Sequence, residues 1–387
     1  MSSKQKIYLD NAATTPLDSA VIEVMSELMS KVYGNPSSVH ALGRNARVVI
    51  ENSRKKIATL IHAAPAEIIF TSCGTEANNM ALRGAVASLN ITKIISSPIE
   101  HHSVLETVEE LKKNNKITVD YVDLDEFGNV DVTSLEKLLV ESEEDTILVS
   151  LMHANNEIGN MLPIENIAEL CKKHNAFFHS DTVQSMGFYE FDVRKFEPDF
   201  ITCSAHKFHG PKGVGFLFIN QKNRIKPLLT GGSQERNMRA GTENIHGIAG
   251  MAKAFELAHE NMDKNNKHIN DLKRYFMEQI ERIVPEIQYN GNPKGNSLDK
   301  LLNISFPNSD MDEMLLYNFD IDGVCVSGGS ACSSGSNMAS HVLKVLQTDM
   351  NKPAIRFSFS RNNTKQELDY TLDLIKNWYC SNKSVKL

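Results

Sequence analysis

The stretch FITCSAHKFHGPKGVGFLFI, residues 200–219, reads as two apolar strands separated by a polar turn. FITCS (200–204) and GVGFLFI (213–219) have the length and the β-branched and aromatic content of buried strands. The turn sets Lys207 among small residues, with Ser204, Ala205, His206, His209, Gly210 and Gly213 around it. In open α/β sheets, ligands bind beyond the carboxyl ends of the strands. A lysine held there away from water is suited to Schiff-base chemistry. The ordinary fate of a lysine is to lay its stem on the surface and keep its amine in water. The reading therefore depends on what else the chain places at such strand ends.

Working outward, EIIFTS (67–72), KIISS (93–97), TVDYV (118–122), TILVSLM (146–152) and AFFHSD (176–181) are further short apolar runs. Helical spacing of apolar residues marks 19–32, 41–60 and 76–87, the first behind Asp18 as N-cap. Thr133-x-x-Glu136 and Thr364-x-x-Glu367 are capping-box patterns that predict two more helix starts. Strands alternating with helices predict an α/β fold with a mostly parallel central sheet covered on both faces. Near residue 245 the pattern changes. A charge-rich helical run over 246–282 precedes LLNISF (301–306), a helix over 312–317, PAIRFSF (353–359) and a last helix over 364–378. This predicts a smaller C-terminal α+β domain.

The chain has 387 residues, roughly two domains by length. With 41% hydrophobic and 23% charged residues it can bury a large core without disulfides or metals. The net charge of −7 argues against nucleic acid or an anionic membrane as main partner. No apolar run reaches the length of a membrane span, and MSSKQKIYLDNAATTP has no apolar secretory region. A cytoplasmic location is expected. Six cysteines, at 73, 171, 203, 325, 332 and 380, form no C-x-x-C pair, against a disulfide framework or a cysteine-based zinc site. His206-x-x-His209 lacks the companions of a metal motif, so no metal is predicted. Neither a Walker A sequence nor G-x-G-x-x-G is present, which leaves a nucleotide site unsupported.

Three other polar clusters follow strand-like runs or loops. Ser72-Cys73-Gly74-Thr75-Glu76 lies between a strand and a helix, where small residues and a helix N-terminus suit an anion or simply a helix cap. His179-Ser180-Asp181-x-x-Gln184 ends a strand in a carboxylate able to hold a protonated ring nitrogen or to cap a helix. Val326 to Gly335 is a Gly/Ser loop carrying Cys332, a poor place to bury a thiol and a good place to present one.

Together these segments resemble the cysteine desulfurases of the class V aminotransferase family, pyridoxal-phosphate enzymes that move sulfur from free cysteine. Ten blocks in order carry the resemblance over nearly the whole chain: YLDNAATTP (8–16), GNPSSVH (34–40), TSCGTEANN (71–79), EHHSVL (100–105), MHANNEIG (152–159), HSDTVQS (179–185), SAHKFHGPKGVG (204–215), GGSQERNMRAGTEN (231–244), GSACSSG (329–335) and RFSFSRNNT (356–364). Cys73 departs from the glycine usual in the phosphate turn, which puts the backbone path there in question. The resemblance implies fold type I of the pyridoxal-phosphate-dependent transferases. It implies a large cofactor domain over 14–255 and a small domain from 1–13 and 256–387 carrying the cysteine loop.

Residue by residue, the resemblance implies these roles. Lys207 is the Schiff-base lysine, Asp181 the partner of the pyridine nitrogen, Gln184 the neighbour of the ring hydroxyl, and His101 the histidine stacked on the ring. Gly74, Thr75, Ser204 and His206 hold the phosphate, with Ala205 lying between the last two. Thr242 reaches the phosphate of a neighbouring subunit, which implies a homodimer. Asn156 and Arg356 hold the substrate carboxylate, and Cys332 becomes the persulfide. The implied reaction converts L-cysteine to L-alanine and passes sulfur from Cys332 to an acceptor protein, an iron–sulfur scaffold or a tRNA-thiolation protein. Selenocysteine lyase or another class V reaction is the alternative, and Cys332 argues against plain transamination, which needs no thiol. A catalytically silent scaffold and a histidine-based metal hydrolase are weaker readings, since the lysine, aspartate and arginine are all present.

Overall fold

Phe216 and Phe218 pack on one face of a sheet, and Leu217 and Ile219 pack on the other. That alternation follows from the two-residue period of a strand buried on both sides. The computed structural model describes residues 6–115, 117–309, 314–328, 340–349 and 351–380. The first part of the chain forms β1 (Ile7–Tyr8), α1 (Ser19–Lys31), α2 (Ala41–Leu60), β2 (Ile68–Thr71), α3 (Gly74–Ser88), β3 (Lys93–Ser96), α4 (His102–Asn115), β4 (Thr118–Tyr121), α5 (Val132–Val140), β5 (Ile147–Ser150), α6 (Ile164–Lys173), β6 (Phe177–Asp181), β7 (Phe200–Ser204) and β8 (Gly215–Ile219). The rest forms α7 (Ile245–Glu260), α8 (Met262–Ile283), β9 (Gln288–Asn290), β10 (Leu301–Ser305), α9 (Leu315–Ile321), β11 (Val324–Cys325), α10 (His341–Val345), β12 (Ala354–Ser358) and α11 (Lys365–Cys380).

Seven strands make the main sheet in the order β2-β8-β7-β6-β5-β3-β4. Only β8 runs against its neighbours, β2 and β7; the other ladders are parallel. The sheet is therefore mostly parallel, as its sequence pattern predicts. One face is covered by α2, α6 and α7, through Ile50, Ile57, Ile167, Ile248 and Met251. The other is covered by α3 and α4, through Met80, Ala81, Val104 and Val108. Because β8 alone is reversed, the carboxyl ends of β2, β3, β5, β6 and β7 all lie along one edge. That edge positions the site.

The later elements build a second core. Strands β12-β10-β9 form an antiparallel sheet, and β1 pairs in parallel with β11. Ile269, Phe276 and Ile280 of α8 pack with Phe357 of β12, Phe319 of α9 and Leu368 of α11, and Ile7 and Leu9 join them. No helix among the described residues is long and apolar enough to cross a membrane.

Local starts and stops follow side-chain chemistry. Asp18 caps α1 by accepting from the Ala20 N–H at 2.9 Å. The Thr364–Glu367 box forms, with the Thr364 N–H donating to Glu367 Oε2 at 2.8 Å and the Glu367 N–H to Thr364 Oγ1 at 3.3 Å. The Thr133–Glu136 pattern does not cap its helix. Asp131 does, accepting from the Thr133 N–H at 2.8 Å, because an aspartate at the preceding turn takes the first exposed donor. The helical run expected over 246–282 is two helices. Asn261 separates them, and its side-chain Nδ2 bonds the Leu257 carbonyl at 3.0 Å, which competes with helix continuation. The helix expected at 312–317 is α9, beginning at Leu315 among the described residues.

Candidate active site

Five strand ends supply the site. Beyond β2 come Ser72, Cys73 and the first turn of α3; beyond β3 comes His101; beyond β5, Asn156; at the end of β6, Asp181; and beyond β7, Lys207. From the second core, β12 contributes Arg356. They surround a cavity of about 320 Å³. Of the residues singled out in the sequence, Gly74, Thr75, His101, Asn156, Asp181, Gln184, Ser204, His206, Lys207 and Arg356 line it. Ala205 does not; its side chain is fully buried in the core beneath the turn. Thr242 is exposed and is not among the residues that line this cavity. Cys332 lies outside the described residues.

Lys207 is not a surface lysine. Its Nζ donates to the Ala12 carbonyl at 2.7 Å and the Ala13 carbonyl at 2.8 Å. Asp181 is 5% exposed; Oδ1 accepts from the Val183 N–H at 2.9 Å and Oδ2 from Asn78 Nδ2 at 2.7 Å. It thus caps a turn and faces the cavity at once. His206 shares a hydrogen with Thr14 Oγ1 at 3.1 Å, and burial, aided by the charges of Lys207, Lys212 and Lys300, pushes its pKa down to about 3. His101 is likewise held below the usual imidazole value, chiefly by burial; Asp181 opposes this, and Lys207, His102 and His341 add to it. Both rings are neutral near pH 7.

Arg356 is 1% exposed. Its Nη1 donates to the Asn156 carbonyl at 2.8 Å and its Nη2 to Asp10 Oδ1 at 2.9 Å. A guanidinium carries five N–H donors, so three remain, and Nε has no partner among the described residues. The fork is anchored and still able to take a carboxylate.

The phosphate-type turn is stereochemically clear. Cys73 has φ −173° and ψ 175°, extended backbone that any residue adopts. Gly74 is the position that needs glycine, since a Cβ there would lie 2.7 Å from Val183 Cγ2. The N–H groups of Gly74, Thr75 and Glu76 open α3 ahead of its first i−4 bond, and Gly74 and Thr75 line the cavity with Ser204 and His206.

Sequence reasoning missed Asn78, Ser103, Asp10 and the Ala12 and Ala13 carbonyls. Asn78 follows Gly74 by four residues on one helix face, a spacing that brings it to the same cavity. The alanine carbonyls leave no signal in side-chain identity.

A lysine amine, a carboxylate and an anchored guanidinium around one cavity at the carboxyl edge of a parallel sheet define a cofactor-dependent enzyme of the aminotransferase type. The chain belongs to the class-V aminotransferase family, whose model matches residues 7–371. It is 45% identical to the cysteine desulfurase IscS of Dictyoglomus turgidum, over 96% of this chain and 94% of that one. It is 42% identical to the putative cysteine desulfurase IscS 1 of Bacillus subtilis, over 94% and 96%. A solved NifS-like protein superposes with a TM-score of 0.88 at 38% identity, covering 96% of this chain and 99% of that one. The fold is that of the type I pyridoxal-phosphate enzymes, and the family depends on pyridoxal phosphate. The residues present fit that cofactor: an anion-binding helix start, a carboxylate, an amine, and Gln184 Oε1, a buried acceptor with no partner among the described residues.

Proposed function

We propose that this chain is a cysteine desulfurase that converts L-cysteine to L-alanine and loads the sulfur onto Cys332. The observation that carries the reading is that Lys207, Asp181 and Arg356 line one cavity. Gly74, Thr75, Ser204 and His206 would hold the cofactor phosphate, Asp181 its ring nitrogen, Gln184 its ring hydroxyl and His101 its ring face. Bound there, pyridoxal phosphate supplies an electron sink for charge developing at the substrate α-carbon.

The chain's own residues do the rest. Arg356, with Asn156 beside it, fixes the substrate carboxylate and so the direction of the Cα–H bond. Lys207 Nζ takes that proton and returns one later. Asp181 holds a proton on the cofactor nitrogen by charge pairing. The Cys332 thiolate attacks the substrate sulfur, so that the carbon–sulfur bond breaks as a sulfur–sulfur bond forms. The β-carbon keeps the electron pair and is protonated, which leaves alanine and a persulfide.

The same reading assigns residues 14–255 to a cofactor domain and 1–13 with 256–387 to a small domain. It takes the protein to be a cytoplasmic homodimer in which Thr242 completes the partner's site. Exposed Tyr33, Val39 and Val48 near the start of α2 and within it are apolar surface that a second copy would cover. An iron–sulfur scaffold or a tRNA-thiolation protein would accept the sulfur.

The test is incubation of the holoenzyme with L-cysteine and a thiol reductant. Equimolar alanine and sulfide are expected, and Cys332→Ser should keep the cofactor colour while losing both products. A cofactor-loaded wild type that yields neither product overturns the proposal.

A further inference from the structure

We propose that Asn78 is a positioning residue whose amide orients the Asp181 carboxylate and, through Ser103, ties it to the His101 ring. This rests on the functional reading above for the roles of Asp181 and His101.

An ionised carboxylate only accepts hydrogen bonds. Asn78 lies 2.7 Å from Asp181 Oδ2, so it must turn its NH₂ toward that oxygen. The second hydrogen of the same NH₂ goes to Ser103 Oγ at 2.9 Å. Ser103 Oγ lies 2.8 Å from His101 Nδ1 and donates its hydroxyl hydrogen to it, because that nitrogen is an acceptor. The Ser103 backbone N–H also points at His101 Nδ1, at 3.1 Å, and a backbone N–H can only donate. Nδ1 is therefore unprotonated, and the neutral His101 ring carries its hydrogen on Nε2.

The other end of the amide closes the network. Asn78 Oδ1 faces His179 Nε2 at 3.2 Å, which makes that nitrogen the donor. His179 Nδ1 then accepts from Ser150 Oγ at 2.8 Å. Asn78 is 1% exposed and His179 fully buried. Every hydrogen thus has one direction, from Ser150 through His179 and Asn78 to Asp181 and His101. Reversing the amide would set its oxygen against a carboxylate oxygen. One buried amide therefore fixes two groups that line the cavity.

The test separates polarity from packing. Asn78→Asp keeps the shape and replaces NH₂ with an oxygen facing Asp181; Asn78→Ala removes the group. Each is loaded with pyridoxal phosphate, and its dissociation constant and the visible absorption maximum are measured. Hydrogen bonds to charged groups carry enough energy that Asn78→Ala should weaken cofactor binding about tenfold. Asn78→Asp should weaken it further and move the absorption maximum. A packing role predicts the reverse order, with Asn78→Asp near wild type, and that result overturns the proposal. Ser103→Ala and Ser103→Thr test the other anchor without touching Asn78. Ser103→Ala should weaken binding in the same sense and Ser103→Thr should restore it; equal behaviour of the two overturns the proposal. Wild type that binds pyridoxal phosphate but makes no alanine counts against the functional reading and leaves this order of affinities readable.

Discussion

Arg356 shows what a residue does that a motif does not say. Its guanidinium is pinned by Asp10 on one nitrogen and the Asn156 carbonyl on another, and it keeps three donors. A lysine at this position retains the charge and loses the fork that meets a carboxylate on two oxygens. Arg356→Lys should therefore raise the KM for cysteine about tenfold to a hundredfold, from the worth of one charge-assisted hydrogen bond, with a smaller fall in kcat. Steady-state kinetics read both, and an unchanged KM would remove Arg356 from the substrate site. The neighbouring phosphate turn gives a second pair. Cys73 stands on extended backbone, whereas Gly74 has no room for a Cβ beside Val183. Cys73→Gly should leave cofactor affinity within about twofold, since glycine at a cap position shifts stability by only tenths of a kcal/mol. Gly74→Ala should weaken it about tenfold or more, by overpacking at the helix start. Equilibrium titration with pyridoxal phosphate compares them.

At the scale of elements, the segment carrying Thr242 is held by several ion pairs, of which Arg54–Glu235 is the most buried. Arg54 of α2 makes two bonds to Glu235, at 2.7 and 2.8 Å, and a third to the Ile68 carbonyl at 2.7 Å. Glu235 also accepts from the Phe70 N–H of β2 at 2.8 Å, and the guanidinium lies 4.5 Å over the Phe70 ring. Both side chains are 2% exposed, so removing one strands a charge. Arg54→Met, which strands the Glu235 anion, should destabilise the fold by about 3–5 kcal/mol, more than Glu235→Gln, which leaves the Arg54 cation paired with Glu51 at 3.3 Å. Thermal melting of the holoenzyme ranks them, and melting points equal to that of the wild type would show the pair to be dispensable. This tie was not legible in the sequence. Arg54 and Glu235 are 181 positions apart, and no spacing rule joins them. What was legible were features decided locally, such as the Asp18 cap, the Thr364 box and the alternation of β8. The failures were local too, where two polar groups competed, as Asp131 did with Thr133, or where Asn261 bonded back to its own helix.

For the whole molecule, the mostly parallel sheet was legible because hydrophobic period and the alternation of strands with helices are written along the chain, whereas the spatial order of the strands and the reversal of β8 were not. Gly74, Asp181 and Lys207 stood out as candidates because each sits at or just beyond a strand end, whereas Arg356, inside β12, was carried by the family resemblance alone. Their second partners were not legible, since Asn78, Ser103 and two alanine carbonyls act through a three-dimensional network that the sequence only permits. That burial has a pH consequence. Burial holds His153 and His206 down to about 3 and His179 and His209 down to about 4. In the unfolded chain each titrates near about 6.5. Above that pH both states are neutral and these groups leave stability flat. Below it the unfolded chain takes up protons the folded chain refuses, so stability falls with acidification until the folded values are reached. Glu100 and Glu157, whose carboxyls burial raises, pull the other way by keeping protons in the fold as pH rises past their unfolded values. His153 isolates one term. Its ring sits 4.7 Å from Tyr189 and 5.3 Å from Phe191 and shares a hydrogen with Ser185 Oγ at 2.9 Å, outside the cavity. His153→Gln keeps a polar partner for Ser185 and cannot be protonated. Urea unfolding of the holoenzyme between about pH 4.5 and 6 should show a pH slope flatter than wild type by about 1.4 kcal/mol per unit, one proton's worth. An unchanged slope would mean that the folded His153 ring already carries its second proton, which its apolar surroundings disfavour.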